Sequence, residues 1–206
     1  MICPESVGGH FATEYMANRL GLRVLHSLYD PQLFTMDVSS SAQLANKERP
    51  KVICFDVSHQ LFPHPVQDFK KQLTYSPIIT YDASHVMGLL SGAVLQNPLA
   101  EGADLLHGST HKSFPGPQKA IFAGNSTDLK NKIDSIMFPQ FSSNYHLHHV
   151  LALFAAGCEM KAFGTEYAKQ TIANAKALGA SMESEGLPVI ASKIGFTQTH
   201  QLWLDL

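Results

Sequence analysis

Ser76–Gln118 reads SPIITYDASHVMGLLSGAVLQNPLAEGADLLHGSTHKSFPGPQ. Two short apolar runs in it each lead into polar residues. Pro77-Ile78-Ile79-Thr80-Tyr81 is β-branched and aromatic, as a buried parallel strand is, and it ends in Asp82, with Ser84 and His85 close behind. A second short strand, Asp104 to Gly108, runs into Ser109-Thr110-His111-Lys112. Phe114-Pro115-Gly116-Pro117 then blocks any helix or strand from continuing. Asp82 therefore stands at the carboxyl end of one strand, and Lys112 on a rigid turn after another.

Open α/β sheets bind ligands at that edge, so the two side chains are expected to converge although they are far apart in sequence. An acid and a lysine at neighbouring strand ends suit pyridoxal phosphate. The lysine would carry the aldehyde as a Schiff base, and the acid would keep the pyridine nitrogen protonated so that the ring accepts carbanion electrons. His85 is placed to contact the ring or its phenolic oxygen.

Outward from this stretch the chain alternates strands and helices. Val7-Gly8-Gly9-His10 is a glycine turn into a helix over Ala12 to Leu20, closed by Gly21, and a strand is expected over Leu22 to His26. Asp37 and the following serines cap a helix through Lys47, and Arg49-Pro50 ends it before the strand Lys51 to Asp56, with Ser58 and His59 at its carboxyl end. Pro65 opens a helix to Leu73, and a short helix is expected from Ser84 to Ser91. After the lysine turn come the strand Ala120 to Ala123 and a helix to Met137, capped by Thr127 or Asp128. Asn144 to Glu185 is helical in pattern, with Gly157 and Gly164 expected to bend or break it. Strands are expected near Pro188 to Ala191 and over Gln201 to Leu206, with Trp203 in the core.

The chain has 206 residues, long enough for one domain that buries on the order of 70% of its unfolded surface. Composition is 45% hydrophobic and 16% charged with a formal net charge of −2, so no basic patch points to nucleic acid and no acidic tail to disorder. The three cysteines have no metal-type spacing, and Cys54 and Cys158 lie in apolar contexts, which suits a reducing compartment. No signal peptide and no apolar run of membrane-spanning length is visible, so a cytoplasmic location is expected. Among eleven histidines, His146, His148 and His149 cluster, but no Cys or carboxylate stands beside them to complete a metal site. The expected partners are small molecules and other subunits, with no nucleic acid and no membrane.

With these residues placed, the chain resembles serine hydroxymethyltransferase and its relatives among the fold-type-I pyridoxal-phosphate enzymes. Asp82-Ala83-Ser84-His85-Val86-Met87-Gly88-Leu89 resembles the family's Asp-x-Ala-His-x-x-Gly-Leu, which implies Asp82 at the pyridine nitrogen and His85 on the phenolic-oxygen side. Gln96-Asn97-Pro98-Leu99 resembles its Pro-Asn-Pro turn. Ser109-Thr110-His111-Lys112-Ser113 resembles Thr-Thr-His-Lys-Thr, which implies Lys112 as the Schiff-base lysine, His111 at the cofactor phosphate and Ser109 among the cofactor contacts. Gly8-Gly9-His10 resembles the Gly-Gly-His whose imidazole stacks on the cofactor ring, and Pro50 through Ser58 the strand whose serine lies by the phenolic oxygen. Glu166 to Leu178 resembles the helix that leads to the small domain.

The departures carry information too. Phe138-Pro139-Gln140-Phe141-Ser142-Ser143-Asn144-Tyr145 stands where the family has Phe-Pro-x-x-Gln-Gly-Gly-Pro, whose glycines reach a neighbouring subunit's phosphate. Gln118 stands where the family has the arginine of Gly-Pro-Arg-Gly-Gly. Thr197-Gln198-Thr199-His200 replaces Thr-Asp-Asn-His near the folate site. The family's N-terminal arm, with its phosphate cup and catalytic Glu and Tyr, would precede Met1, and its small domain with the carboxylate-gripping arginine would follow Leu206.

The expected fold is a three-layer α/β/α large domain with a mostly parallel sheet, residues 1–206 forming a single pyridoxal-phosphate-binding unit. The resemblance implies transfer of a hydroxymethyl group between serine and glycine, with tetrahydrofolate as cosubstrate, Lys112, Asp82 and His10 as the reactive set, and a homodimer. The alternative is a folate-independent aldolase or transaldolase acting on threonine-like β-hydroxy amino acids. A third, of another class, is a non-catalytic relative that binds cofactor weakly or only supports a partner.

Overall fold

The computed structural model describes residues 1–205. Its centre is a four-stranded sheet in the order β3 (Val52–Phe55), β4 (Ile78–Asp82), β5 (Leu105–Ser109), β6 (Ala120–Gly124). The first three strands are parallel and β6 runs antiparallel against β5, so the sheet is mostly parallel with a reversed edge. Strands β1 (Tyr29–Asp30) and β2 (Thr35–Met36) form a separate two-stranded hairpin.

Alternation along β3 and β4 sorts the two faces. Ile53, Phe55, Ile79 and Tyr81 are buried on one face, where α2 (Val38–Glu48) and α3 (Val66–Lys71) supply Ala42, Ala45, Val66 and Phe69 to the same core. Phe55 meets Phe69 edge-on with ring centroids 5.8 Å apart. The opposite face carries Cys54 and Thr80, and α1 (Phe11–Arg19) borders it across a groove of about 430 Å³ lined by Thr13, Ala17, Leu25, Cys54 and Thr80. Helices on both faces of a mostly parallel sheet make this the expected three-layer α/β/α architecture.

Local chemistry accounts for most element boundaries. Asp37 accepts the Ser40 N–H as the N-cap of α2, and Arg49 ends that helix at φ 49°. Helix α6 (Thr127–Ile136) is capped by Ser126, which accepts the Leu129 N–H, and not by Thr127 or Asp128. The two expected residues lie inside the first turn, one and two positions past the cap, too late for a side chain to reach back to the free N–H groups.

Three expected strands are reduced to single pairings. Leu22 to His26 is extended, but its partner is the Met1–Cys3 segment, which it meets at the Ile2–His26 bridge. Met1–Cys3 in turn docks on β3, where Cys54 N–H donates to the Met1 carbonyl at 2.8 Å. Pro188 to Ala191 and Gln201 onward touch only at the Val189–Leu204 bridge, and Leu206 lies outside the described residues. Trp203 is half-buried, edge-on to Phe34 at 6.3 Å, instead of sitting in the core.

The long helix is unbroken. Helix α7 (Leu147–Ser184) runs 38 residues, about 57 Å at 1.5 Å per residue, straight through Gly157 and Gly164. Its buried stripe is Ala156, Met160, Gly164, Ala168, Ala175 and Gly179, and small residues there let α4 (Met87–Ser91) come close. A Cβ on Gly92 would lie 2.4 Å from the Gly164 carbonyl oxygen. Gly164 is thus a contact position, and the packing it permits outweighs its helix penalty of about 1 kcal/mol.

Candidate active site

The carboxyl ends of β4 and β5 are stitched together by the polar residues that follow them. Asp82 lies opposite His107, and the Ala83 N–H donates to the His107 carbonyl at 2.7 Å. Asp82 Oδ1 accepts the Ser84 N–H at 2.8 Å, a local turn that leaves the N-cap position of α4 to Val86. The Ser84 hydroxyl oxygen accepts the Ser109 N–H at 3.0 Å. Gly108 permits this approach, since a Cβ there would lie 2.6 Å from Ser84 N.

The lysine turn is held from several directions. The Thr110 hydroxyl donates to the Pro117 carbonyl at 2.7 Å, and the Gly116 N–H returns to the Thr110 carbonyl at 2.9 Å. Gly88 N–H of α4 donates to Ser113 Oγ at 3.1 Å, and the Tyr167 hydroxyl of α7 donates to the Ser113 carbonyl at 2.7 Å. From this anchored turn Lys112 places Nζ 3.2 Å from His85 Nε2. Burial first, then the positive Lys112 and the nearby His200 and His59, push the His85 imidazole down to about 4, although Asp82 pulls the other way. A neutral imidazole at that distance can accept a hydrogen bond from the lysine ammonium.

Asp82, His85, Ser109 and Lys112 are therefore brought to one edge. His10 and Ser58 lie at the end of the neighbouring strand β3, where the Ser58 N–H donates to the Gly8 carbonyl at 2.9 Å and the His10 N–H to the Asp56 carbonyl at 2.9 Å. His10 has a local duty that the glycine turn did not suggest. Its Nδ1 accepts the Ala12 N–H at 3.2 Å as the N-cap of α1, and its ring stacks on Phe11 at 5.0 Å. His111 is exposed.

Two residues with no assigned role in the sequence reading also reach this region. His200 and His59 both act on His85, and His200 is itself lowered by burial. They arrive together because Gln201 clasps the end of β3: its Nε2 donates to the Ser58 carbonyl at 2.8 Å and its Oε1 accepts the Gln60 N–H at 2.6 Å. Buried Thr197 and Thr199 secure the segment on the Leu61 and Gln60 carbonyls. The signal was the pair of threonines two apart, a spacing that puts both hydroxyls on one side of an extended chain. Lys119, next to Gln118, donates to the Tyr145 carbonyl at 2.7 Å and so ties the lysine turn to the segment before α7.

The residues present fit pyridoxal phosphate. Ser109 Oγ and His200 Nδ1 are buried without a hydrogen-bond partner, and Asp82 engages only Oδ1 among the described residues. Buried polar groups are normally satisfied, so unpartnered ones beside a lysine amine and a free carboxylate oxygen suit a polar, ring-bearing ligand. Among the described residues no group of three or more His, Cys, Asp or Glu is arranged for a metal ion, His146, His148 and His149 included. No described helix is long and apolar enough to cross a membrane.

Known proteins match this arrangement over nearly the whole chain. A serine hydroxymethyltransferase of Methanobrevibacter smithii is 41% identical over 202 residues, covering 97% of this chain and 48% of that protein. One of Archaeoglobus fulgidus is 42% identical over 202 residues, covering 97% and 46%. The crystal structure of an L-threonine transaldolase from Pseudomonas fluorescens in its internal aldimine state superposes with a TM-score of 0.93 at 34% identity, over 98% of this chain and 47% of that one. The chain thus spans about half the length of the curated relatives it matches. Because the family model for serine hydroxymethyltransferase matches residues 5–206, with the acid strand and the lysine turn both inside that span, the chain belongs to the serine hydroxymethyltransferase family.

Proposed function

We propose that this chain carries the pyridoxal-phosphate site of an enzyme that cleaves the Cα–Cβ bond of β-hydroxy amino acids, acting on serine and glycine with tetrahydrofolate as one-carbon acceptor. The observation that carries the reading is the 3.2 Å approach of Lys112 Nζ to His85 Nε2, at the same strand edge as Asp82. When bound, pyridoxal phosphate supplies an electron sink for the pair left on Cα.

The chain's own residues then have distinct tasks. Lys112 holds the cofactor aldehyde through Nζ, on a turn too well anchored to drift. Asp82 keeps a proton on the pyridine nitrogen with its uncommitted oxygen. His85, its imidazole kept neutral beside Nζ, would with Ser58 attend the phenolic oxygen. His10 stacks on the ring, while Ser109 and His111 serve the phosphate.

A second reading rests on a specific observation. Thr199 stands where the family's folate contact has Asn, and its hydroxyl donates to the Gln60 carbonyl at 2.6 Å, fully buried and turned inward. That favours folate-independent cleavage or transfer on threonine-like substrates, in keeping with the likeness to a threonine transaldolase. Exposed Phe11, Tyr15 and Met16 on α1 and Leu20 just after it, with Leu147, Leu151 and Phe154 on α7, support association of two copies.

The test is borohydride trapping after incubation with pyridoxal phosphate, followed by peptide mass analysis. A reduced cofactor adduct on Lys112, absent from Lys112→Ala, is expected. An adduct spread over surface lysines and unchanged by the substitution would refute the site and leave the non-catalytic alternative standing. For a chain that passes, serine cleavage measured with and without tetrahydrofolate separates the two enzyme readings.

A further inference from the structure

Asp56 has no task in the site as described, yet it is 2% exposed and next to it in space. The register Phe55–Tyr81 between β3 and β4, carried one residue further, sets Asp56 beside Asp82 on the same face of the sheet. Its Oδ1 accepts the Cys3 N–H at 3.1 Å, and its backbone carbonyl accepts the His10 N–H at 2.9 Å. One residue thus grips both ends of the segment from Cys3 to His10.

Between those ends the segment is tightly wound. Gly8 N–H donates to the Glu5 carbonyl and Gly9 N–H to the Pro4 carbonyl, both at 3.0 Å. A Cβ on Gly9 would lie 2.2 Å from the Cys3 oxygen, and Gly8 has φ 104°, so there is no slack for the entry to shift without moving the exit. Whatever loosens Cys3 is passed on to His10.

The carboxyl group is poorly provided for where it sits. Oδ2 is buried and has no hydrogen-bond partner among the described residues. Burial pushes the group up to about 6, the Thr13 hydroxyl of α1 and the Cys3 N–H pull it back, and Asp82 adds a little upward. The other titratable groups that feel it are the Met1 ammonium and the Cys3 and Cys54 thiols, both of which burial holds near 12 and therefore uncharged.

We propose that Asp56 is the positioning residue for His10: its carboxylate clamps the entry of the Cys3–His10 loop, its carbonyl clamps the exit, and protonation of the side chain slackens the loop. An ionised carboxylate accepts from an N–H more strongly than a neutral acid, so the loop is tightest when Asp56 is charged. The bearing on catalysis rests on the reading of His10 as the ring-stacking residue, whereas control of the loop rests on geometry alone.

Amide NMR of the chain without cofactor separates the two. The Cys3, Gly9 and residue-10 amide shifts are expected to titrate together with a midpoint near 6, in the wild type and in His10→Asn, whose side chain caps α1 without titrating there. Placed in the His10→Asn background, Asp56→Asn, which keeps an acceptor oxygen but no charge, should leave all three flat, and no α3 amide should show a midpoint near 6 in any variant. Asp56→Ala should speed hydrogen exchange at the three amides by about tenfold while α3 stays protected. A Cys3 amide that does not titrate in the wild type, or a titration that survives Asp56→Asn in the His10→Asn background, overturns the proposal. Should Asp56→Ala unfold, the Asp56→Asn comparison decides by itself. A loop that behaves as expected in a chain that forms no adduct at Lys112 would retire the enzyme reading and leave the clamp intact.

Discussion

His64 and Asp56 are buried a few residues apart in sequence, and burial holds each toward its uncharged form, with opposite consequences for stability. His64 Nδ1 meets the Thr35 hydroxyl at 3.3 Å, Nε2 has no partner among the described residues, and burial pushes the imidazole down to about 4. The unfolded chain therefore binds the proton first as pH falls, and stability is lost progressively between about pH 6.5 and 4, by up to roughly 3 kcal/mol. His64→Gln should flatten that acid limb in urea melts. Asp56, raised to about 6, works the other way: the folded state takes up the proton first, so stability falls as pH rises from about 4 to 6 and stays low above. Asp56→Asn should raise the melting temperature at pH 8 and lose that advantage at pH 4, where wild type is itself protonated. The sequence showed an acid at the end of a strand but not that its neighbours would be a sulfhydryl and a hydroxyl, which is why Asp82 was a candidate from sequence and Asp56 was not.

Elements were legible where the period was clean and the cap was local, as in α2 after Asp37 or the strand that ends in Asp82. They were misread where a residue's meaning depends on what approaches it. Gly157 and Gly164 look alike in sequence, yet no described residue lies within 4 Å of a Cβ built on Gly157, whereas Gly164 faces Gly92 across the α4–α7 contact. Gly157→Ala should stabilise α7 by about 0.5–1 kcal/mol. Gly92→Ala, whose Cβ would strike the Gly164 oxygen, should destabilise by about 1–3 kcal/mol, both read by chemical denaturation. The lysine turn adds a functional case. Tyr167→Phe removes the bond to the Ser113 carbonyl at a cost of about 1 kcal/mol and should weaken cofactor capture by Lys112 without abolishing it, measured as adduct yield at limiting pyridoxal phosphate.

Across the whole molecule, the mostly parallel sheet and the placement of Asp82 and Lys112 after neighbouring strands followed from strand ends that could be read locally. The influence of His200 on His85 did not, because no periodicity reports which distant residues a fold brings near one another. Exposed aromatic and aliphatic side chains on α1 and on the first turns of α7 make self-association the expected state, with Phe154 71% exposed. Sedimentation should show Phe154→Glu shifted toward the smaller species, while trapping at Lys112 in that variant separates assembly from site formation. The Gln201 clasp has a temporal consequence as well. Its bond to the Ser58 carbonyl spans 143 residues, so on a ribosome adding about 5–20 residues per second the strand end waits on the order of ten seconds for its clasp. Throughout that interval the nascent sheet shows an unfinished polar rim, and the order of synthesis, more than the speed of any local folding event, sets when the chain first becomes able to receive a ligand.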